Sequence, residues 1–407
     1  YEDILLHPTE PTDRRGGGAA DGQNHTVTVY DKNSRVIAVI DDNLNTIRHW
    51  YDGANRRIAS QDELGNEIHN IYDQGNNIVR TEEREMPTAS GSEEIFASTA
   101  EYDALNRVIK RTDPLGNINQ YAYDAQNNLT ETIDAELNRV EHLFDLVNRR
   151  YEKIEHLESG EIHTHYEWDM NSNLEAIVDD NGRRTHFQYD FLDRLTTTTY
   201  ADGKRTVAGY DKNNNMVSFI DQNESEQVNQ YDENDRLERR DILPGSGTPS
   251  NLPTDLPERF SLWEPYEYDG LNRMTASEDV DSRVDRFYDS LSRITRESGT
   301  WKWTAHGPYE VTAQYDGLGN RLKMGYPSGM SIYYHPDALN RIATVERTVG
   351  ANDVASYEYI GPARVASRRM GNGVNLDLSY DEDRRVNRVW HHGPTPSGYN
   401  RDTVFDL

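Results

Sequence analysis

The sequence predicts an all-β protein: a spiralling ribbon of antiparallel β-hairpins repeated along most of the chain. Three observations carry this. An aromatic residue followed by Asp recurs every 21 residues, as at Tyr30-Asp31, Tyr51-Asp52 and Tyr72-Asp73. Between these marks lie clusters of Asp, Asn and Gly, separated by short runs that alternate with period 2 rather than 3.6. Tyr, at 25 copies, far outnumbers Phe, at 8. That balance suits a thin core in which the hydroxyls reach water or a backbone partner. A repeat of this length points to an array of one supersecondary unit.

Composition narrows the class further. Apolar residues make up only 35% of the chain, the net charge is -28 and the mean hydropathy is -0.92. Such numbers ordinarily mean disorder, but a disordered chain has few aromatics and none at fixed intervals. The acidic excess, 71 Asp plus Glu against 43 Lys plus Arg, disfavours nucleic acid and anionic membranes as partners. Without cysteine there is no disulfide and no thiolate metal site. No apolar run approaches the ~20 residues of a membrane helix, so no membrane insertion is expected. The chain starts without Met and stops in mid-pattern, and is expected to be a mature or excised piece of something longer.

Residues 1–25, with Pro8, Pro11 and Gly16-Gly17-Gly18, read as an irregular lead-in. The array follows over 26–392, and 393–407 reads as an irregular tail. After Tyr72-Asp73 the marks are Tyr102-Asp103, Tyr123-Asp124, Phe144-Asp145, Trp168-Asp169, Tyr189-Asp190, Tyr210-Asp211, Tyr231-Asp232, Tyr268-Asp269, Tyr288-Asp289 and Tyr315-Asp316. Pro336-Asp337, Tyr359-Ile360 and Tyr380-Asp381 close the series.

The unit Tyr102–Asp124 shows the design. Asn106-Arg107 follow the first mark, and Asp113-Pro-Leu-Gly116-Asn117 falls mid-unit. Both D-x-x-N-R and D-x-x-G-N are turns, because Asp, Asn and Gly bond their own backbone and tolerate positive φ. Val108–Thr112 is one strand and Ile118–Tyr123 the next. Helix is excluded by the density of Asn, Asp and Gly. Each unit thus supplies two strands of about five or six residues. Roughly 30 strands at ~4.8 Å each make a ribbon on the order of 150 Å long. Right-handed twist forces such a ribbon to coil, with one convex and one concave face. Ion pairs between the repeat's Asp and Arg are expected across neighbouring turns. Three insertions break the period, near 82–99, 243–265 and 299–310, and read as loops.

These residues resemble the YD-repeat, or Rhs-repeat, family. The resemblance rests on the recurrent unit [YFW]-D-x-x-[ND]-R-[VLMI] with its D-x-x-G turn, from Tyr30 to about Val389. It implies hairpin units joined into a ribbon that spirals into a hollow shell. In Rhs proteins and the C component of insecticidal Tc toxins such shells enclose a toxic polypeptide. In teneurins a YD shell belongs to a cell-surface adhesion protein. Cargo-carrying members end in a self-cleaving Rhs core followed by a toxin. Here the one Asp-Pro-x-Gly, Asp113 to Gly116, is a mid-array turn, and no core, plug, propeller or toxin is visible. The chain reads as a stretch of shell wall or a naturally short relative, secreted or at the cell surface. Its partners would be a polypeptide cargo, neighbouring domains or copies of the same protein, or a cell-surface protein or glycan.

Candidate chemistry is sparse. Asp169-Met-Asn171-Ser-Asn173 and Asp211-Lys-Asn213-Asn-Asn215 are oxygen-rich, as Ca²⁺ loops are. The second has Met216 and Gln222 where an EF-hand needs Gly and Glu, so hairpin turns are the better reading. His163 and His165 share a strand face and with Glu161 make a partial metal set. A third and fourth ligand are not identifiable, so no metal site is assigned and no cofactor is expected. No hydrolase or phosphate-loop motif occurs, and no catalytic residue is assigned. Trp301, Trp303, His306 and Tyr309 form the densest aromatic cluster. It would cover the sheet or, as a platform, stack on a sugar or hold a partner loop.

Overall fold

The computed structural model describes residues 25–86, 93–245, 263–302, 307–347, 353–393 and 403–406. The lead-in up to residue 24, the tip of the first insertion (87–92) and most of the second (246–262) lie outside them. So do Trp303, His306 and most of the tail. The described residues form 33 strands, from β1 (Val27–Tyr30) to β33 (Thr403–Asp406), in one sheet and without a helix. The described pairings are antiparallel and join consecutive strands, for example β8 (Val108–Thr112) with β7 (Glu94–Tyr102).

The turns explain the regularity. At Asp103 the backbone N–H of Asn106 donates to the Asp103 carbonyl at 3.0 Å, and that of Asp103 to the Arg107 carbonyl at 2.9 Å. Asn106 sits at φ 61°, and the register shifts between Glu101 and Tyr102. This is a type I turn closed by a left-handed residue and a bulge. The mid-unit turn is the same device with glycine in the left-handed place. Gly116, at φ 87°, donates to the Asp113 carbonyl at 3.1 Å. One geometry, filled most often by Asn or Gly but also by Ser34, Leu44, Leu137, Asp193 and Glu224, therefore builds the turns on both edges of the ribbon.

Little is buried. Ala59, Phe96, Ala176, Ala276 and Ala355 are the buried apolar residues, and no large side chain among the described residues is fully enclosed. A single sheet layer has no second layer to bury its faces. Stability must therefore come from contacts along the ladder and between turns rather than from a core.

The chain divides into two compact units. The first comprises Tyr1–Ile118, Tyr288–Thr295 and Val311–Leu407, the second Asn119–Phe287 and Arg296–Glu310. Within the first, segments nearly 300 residues apart lie side by side. Asn43 Nδ2 donates to Asp316 Oδ2 and to Asn340 Oδ1, each at 3.1 Å. The Gly361 N–H donates to the Met86 carbonyl at 3.3 Å. The second unit is a run of successive hairpins. Its longest is β12 (Arg150–Leu157) with β13 (Gly160–Trp168), which continues without a bulge to the pair Leu157 and Gly160. The 24-residue step to Trp168 arises here.

The first insertion is less loop-like than expected. Strand β6 (Ile78–Glu85) runs into it and β7 leaves it, so the ladder continues from Arg80 opposite Thr99 to Glu85 opposite Glu94.

Candidate functional site

The repeated polar residues form a lattice, and each member has a definable task. Asp190 Oδ1 accepts the backbone N–H groups of Leu192 at 2.8 Å and Arg194 at 3.1 Å. Its Oδ2 takes Arg194 Nε at 2.8 Å. The guanidinium then reaches the next turn, where Nη1 donates to the Asp211 carbonyl at 2.7 Å and to Asn214 Oδ1 at 3.0 Å. It also lies over the Tyr210 ring, 4.8 Å from its centroid. Tyr210 Oη in turn donates to the Leu195 carbonyl at 3.0 Å, just past the preceding turn. The same set recurs at Asp52 and Arg56 with Tyr72, and at Asp232 and Arg236 with Tyr268. Tyr51, Tyr102, Tyr189 and Tyr231 make the corresponding hydroxyl bond.

This corrects one expectation. The Asp–Arg ion pair lies within a turn, four residues apart, and not between turns. What crosses to the next turn is the other edge of the guanidinium, which adds a second donor to the Asp carbonyl that already accepts that turn's own N–H. Where Asn replaces Arg the reach is shorter but the wiring is kept. Asn215 Nδ2 bonds Asp211 Oδ2 at 3.1 Å and Asp235 Oδ1 at 2.7 Å. Asn77 does likewise with Asp73 and Asn106.

These bonds hold the turn carboxyls below the ordinary aspartate range. For Asp52, Asp103 and Asp145 the backbone N–H of the following Arg is the largest cause. For Asp190, Asp232 and Asp269 it is the guanidinium. The oxygen-rich loops behave as turns. Asp169 Oδ1 accepts the N–H groups of Asn171 and Asn173, both at 2.8 Å, and Asn173 Nδ2 turns to Asp193.

Within the first unit the neighbouring segments are locked by charge. Glu85, with 3% of its side chain exposed, accepts Arg364 Nη2 at 2.8 Å and Nε at 3.1 Å. It also accepts Arg384 Nη1 at 3.1 Å. Arg364 pairs with Glu94 too, and Arg384 with Glu83 at 2.7 Å. The Phe96 ring lies against both guanidiniums, at 5.1 and 4.6 Å. A cleft of about 660 Å³ opens beside them, lined by Phe96, Leu115, Arg364 and Tyr380 among others. Nearby, Asn117 Nδ2 is 3.4 Å from Asp383 Oδ2. Burial, and then the Asp113 charge, push the Asp383 carboxyl up. Sequence gives no sign of this lock, because its partners are 266 to 299 residues apart.

Two of the four aromatic residues singled out at the third insertion can be placed. Trp301 ends β24 (Ile294–Trp301) and is 53% exposed; Tyr309 begins β25 (Tyr309–Tyr315) and is 42% exposed. Trp303 and His306 lie outside the described residues. His163 and His165 share a face as expected, but the carboxylate nearest both is Glu152, on the facing strand, rather than Glu161.

The RHS Repeat family profile matches residues 102–138 and 158–205. These two stretches match the RHS repeat. The fold as a whole also has structural relatives. The crystal structure of TcdB2-TccC3-TEV matches 93% of this chain with a TM-score of 0.65 at 14% identity. TcdB2-TccC3 without its hypervariable C-terminal region matches 93% with a TM-score of 0.57 at 12% identity. TcdB2-TccC3-Cdc42 matches 93% with a TM-score of 0.53 at 11% identity. The chain spans 22 to 24% of the length of those chains. What they share with it at such identity is the fold. No curated protein sequence matches the chain.

Proposed function

We propose that this chain is a non-catalytic scaffold, a stretch of RHS shell wall that encloses or supports a polypeptide, in the manner of Rhs proteins and Tc-toxin C components. The observation that carries this reading is the turn-to-turn lock in the first unit. Glu85 and Arg364, 279 residues apart, are joined by a buried ion pair, as a ribbon wound into a wall requires. The likeness to TcdB2-TccC3-TEV over 93% of the chain supports it. The polar side chains of the repeat are committed to turns and to the next rung, which leaves them little part in chemistry. The work is then done by shape: a wall holds its contents apart from the medium. This reading carries with it secretion or a cell-surface location, and neighbouring domains or copies of the same protein as partners.

A second reading, an extracellular adhesion or filament module, is favoured by one observation. Trp301 and Tyr309 are exposed where the period breaks, as a contact surface for a protein or glycan would be. Protease protection separates the two. The full product of the gene is treated with protease, and the residues that flank the array are followed. Survival of a flanking polypeptide that is cut once the protein is denatured supports enclosure. Prompt cleavage under native conditions removes that reading and leaves adhesion.

A further inference from the structure

We propose that Glu152, His163 and His165 form a binding site for a divalent transition metal of the Zn²⁺ class, which clamps the hairpin β12–β13. Residues 152 and 165 are directly paired across the two strands, and 163 lies opposite 154. Side chains at these positions alternate onto one face, so all three project together. A ligating atom from each lies within 4.8 Å of the others. Glu152 Oε1 is 2.8 Å from His163 Nδ1 and 3.7 Å from His165 Nδ1. Tetrahedral zinc with bonds of ~2.0–2.1 Å spaces its ligands about 3.3 Å apart, which small side-chain rotations supply. Two imidazoles and one carboxylate suit Zn²⁺ better than hard Ca²⁺ or Mg²⁺, and they leave the fourth position to water.

The surroundings supply an outer carboxylate. Metal-bound histidines turn their second nitrogen to a carboxylate that fixes the ring. His163 Nε2 faces Glu161 Oε2 at 3.4 Å. Glu161 is steadied by His156, whose Nδ1 is 3.0 Å from Oε1, and His156 Nε2 is 3.1 Å from Glu141. The nearby guanidiniums are paired with carboxylates other than Glu152 and Glu161. Arg139 pairs with Glu131 and Glu141, and Arg184 with Glu167. The hairpin has a reason to need a clamp. It is longer than its neighbours, and its distal end lacks the Asp–Arg wiring that ties ordinary turns to the next rung.

The test is calorimetric titration of the metal-stripped full chain with ZnCl₂ in a non-chelating buffer, with CaCl₂ in parallel. One Zn²⁺ per chain is expected, with a dissociation constant on the order of micromolar or tighter and no competition from Ca²⁺. The H163A/H165A variant should bind at least about 100-fold more weakly, with its circular dichroism unchanged. E161Q keeps the ligands and should lose about 10- to 100-fold. Co²⁺ should show the intense visible absorption of four-coordination in the parent and lose it in H163A/H165A. Absence of stoichiometric Zn²⁺ binding to the parent, or equal binding by H163A/H165A, overturns the proposal.

Discussion

Replacing Glu85 by alanine is expected to open the lock between neighbouring segments of the first unit. Its side chain is 3% exposed and that of Arg364 is 9% exposed, so the pair is buried. Removing one member of a buried pair costs about 3–5 kcal/mol, because the other charge is left without compensation. Here Arg364 keeps Glu94 and Arg384 keeps Glu83, which places E85A near the lower limit, about 3 kcal/mol. R364A should cost more. It strands Glu85 with Arg384 alone and removes a cation from the Phe96 and Tyr380 rings. Replacing both by methionine should recover most of the loss, since apolar groups of similar volume often substitute for a buried pair without penalty. A repeat array opens locally rather than all at once, so amide hydrogen exchange is the suitable assay. For E85A, protection should fall by about two orders of magnitude in β6, β7 and β30 (Arg364–Met370). Protection in the second unit should hold. Unchanged exchange in E85A, or a double methionine variant as damaged as R364A, would refute the reasoning.

Four further outcomes follow. Tyr189→Phe removes the bond from the hydroxyl to the Leu174 carbonyl and should cost about 1 kcal/mol in urea denaturation, with the denaturant slope unchanged. Arg194→Asn should be milder than Arg194→Ala, because Asn173 and Asn215 already fill that place in other turns; equal melting temperatures would deny the link to the next turn. Stability measured against pH should hold down to about pH 4, the unfolded aspartate range, and decline below it. The sign follows from the turn aspartates, whose folded pKa values are lowered. Their contribution is present above the unfolded pKa and is lost as pH falls through the folded values. Asp383 acts in the opposite sense, because its pKa is raised. It favours the fold at low pH and loses that effect as pH rises, so Asp383→Asn should raise stability near neutrality.

The turns of the repeat were legible because what shapes each of them is local. Asp103 bonds amides two and four residues on, and Asn106 supplies a positive φ. Both depend on residue type and short spacing alone, so the strands Val108–Thr112 and Ile118–Tyr123 could be placed to the residue. Reading a tie between turns into the Asp–Arg pair failed for a related reason. Spacing alone does not reveal which edge of a guanidinium faces which carboxylate. Where Asn stands in place of Arg, Asn77 and Asn215 keep the bond to their own turn's aspartate and one to a side chain of the next turn.

What sequence could not supply are contacts set by strand register and by winding. Glu152 meets His165 only because the long β12–β13 hairpin pairs those positions. The nearer carboxylate in sequence, Glu161, therefore drew attention first. Glu85 and Arg364 sit in stretches with no shared pattern. Gly361 is another trace of the same closeness. A Cβ there would lie 1.9 Å from Glu85 Oε2, yet in sequence it is an ordinary glycine beside an imperfect repeat mark.

The most direct test of the central claim is electron microscopy of the purified chain. A wound RHS wall predicts compact particles with a curved, closed-sided outline around a hollow. Extended threads joined end to end would contradict enclosure and point instead to a filament.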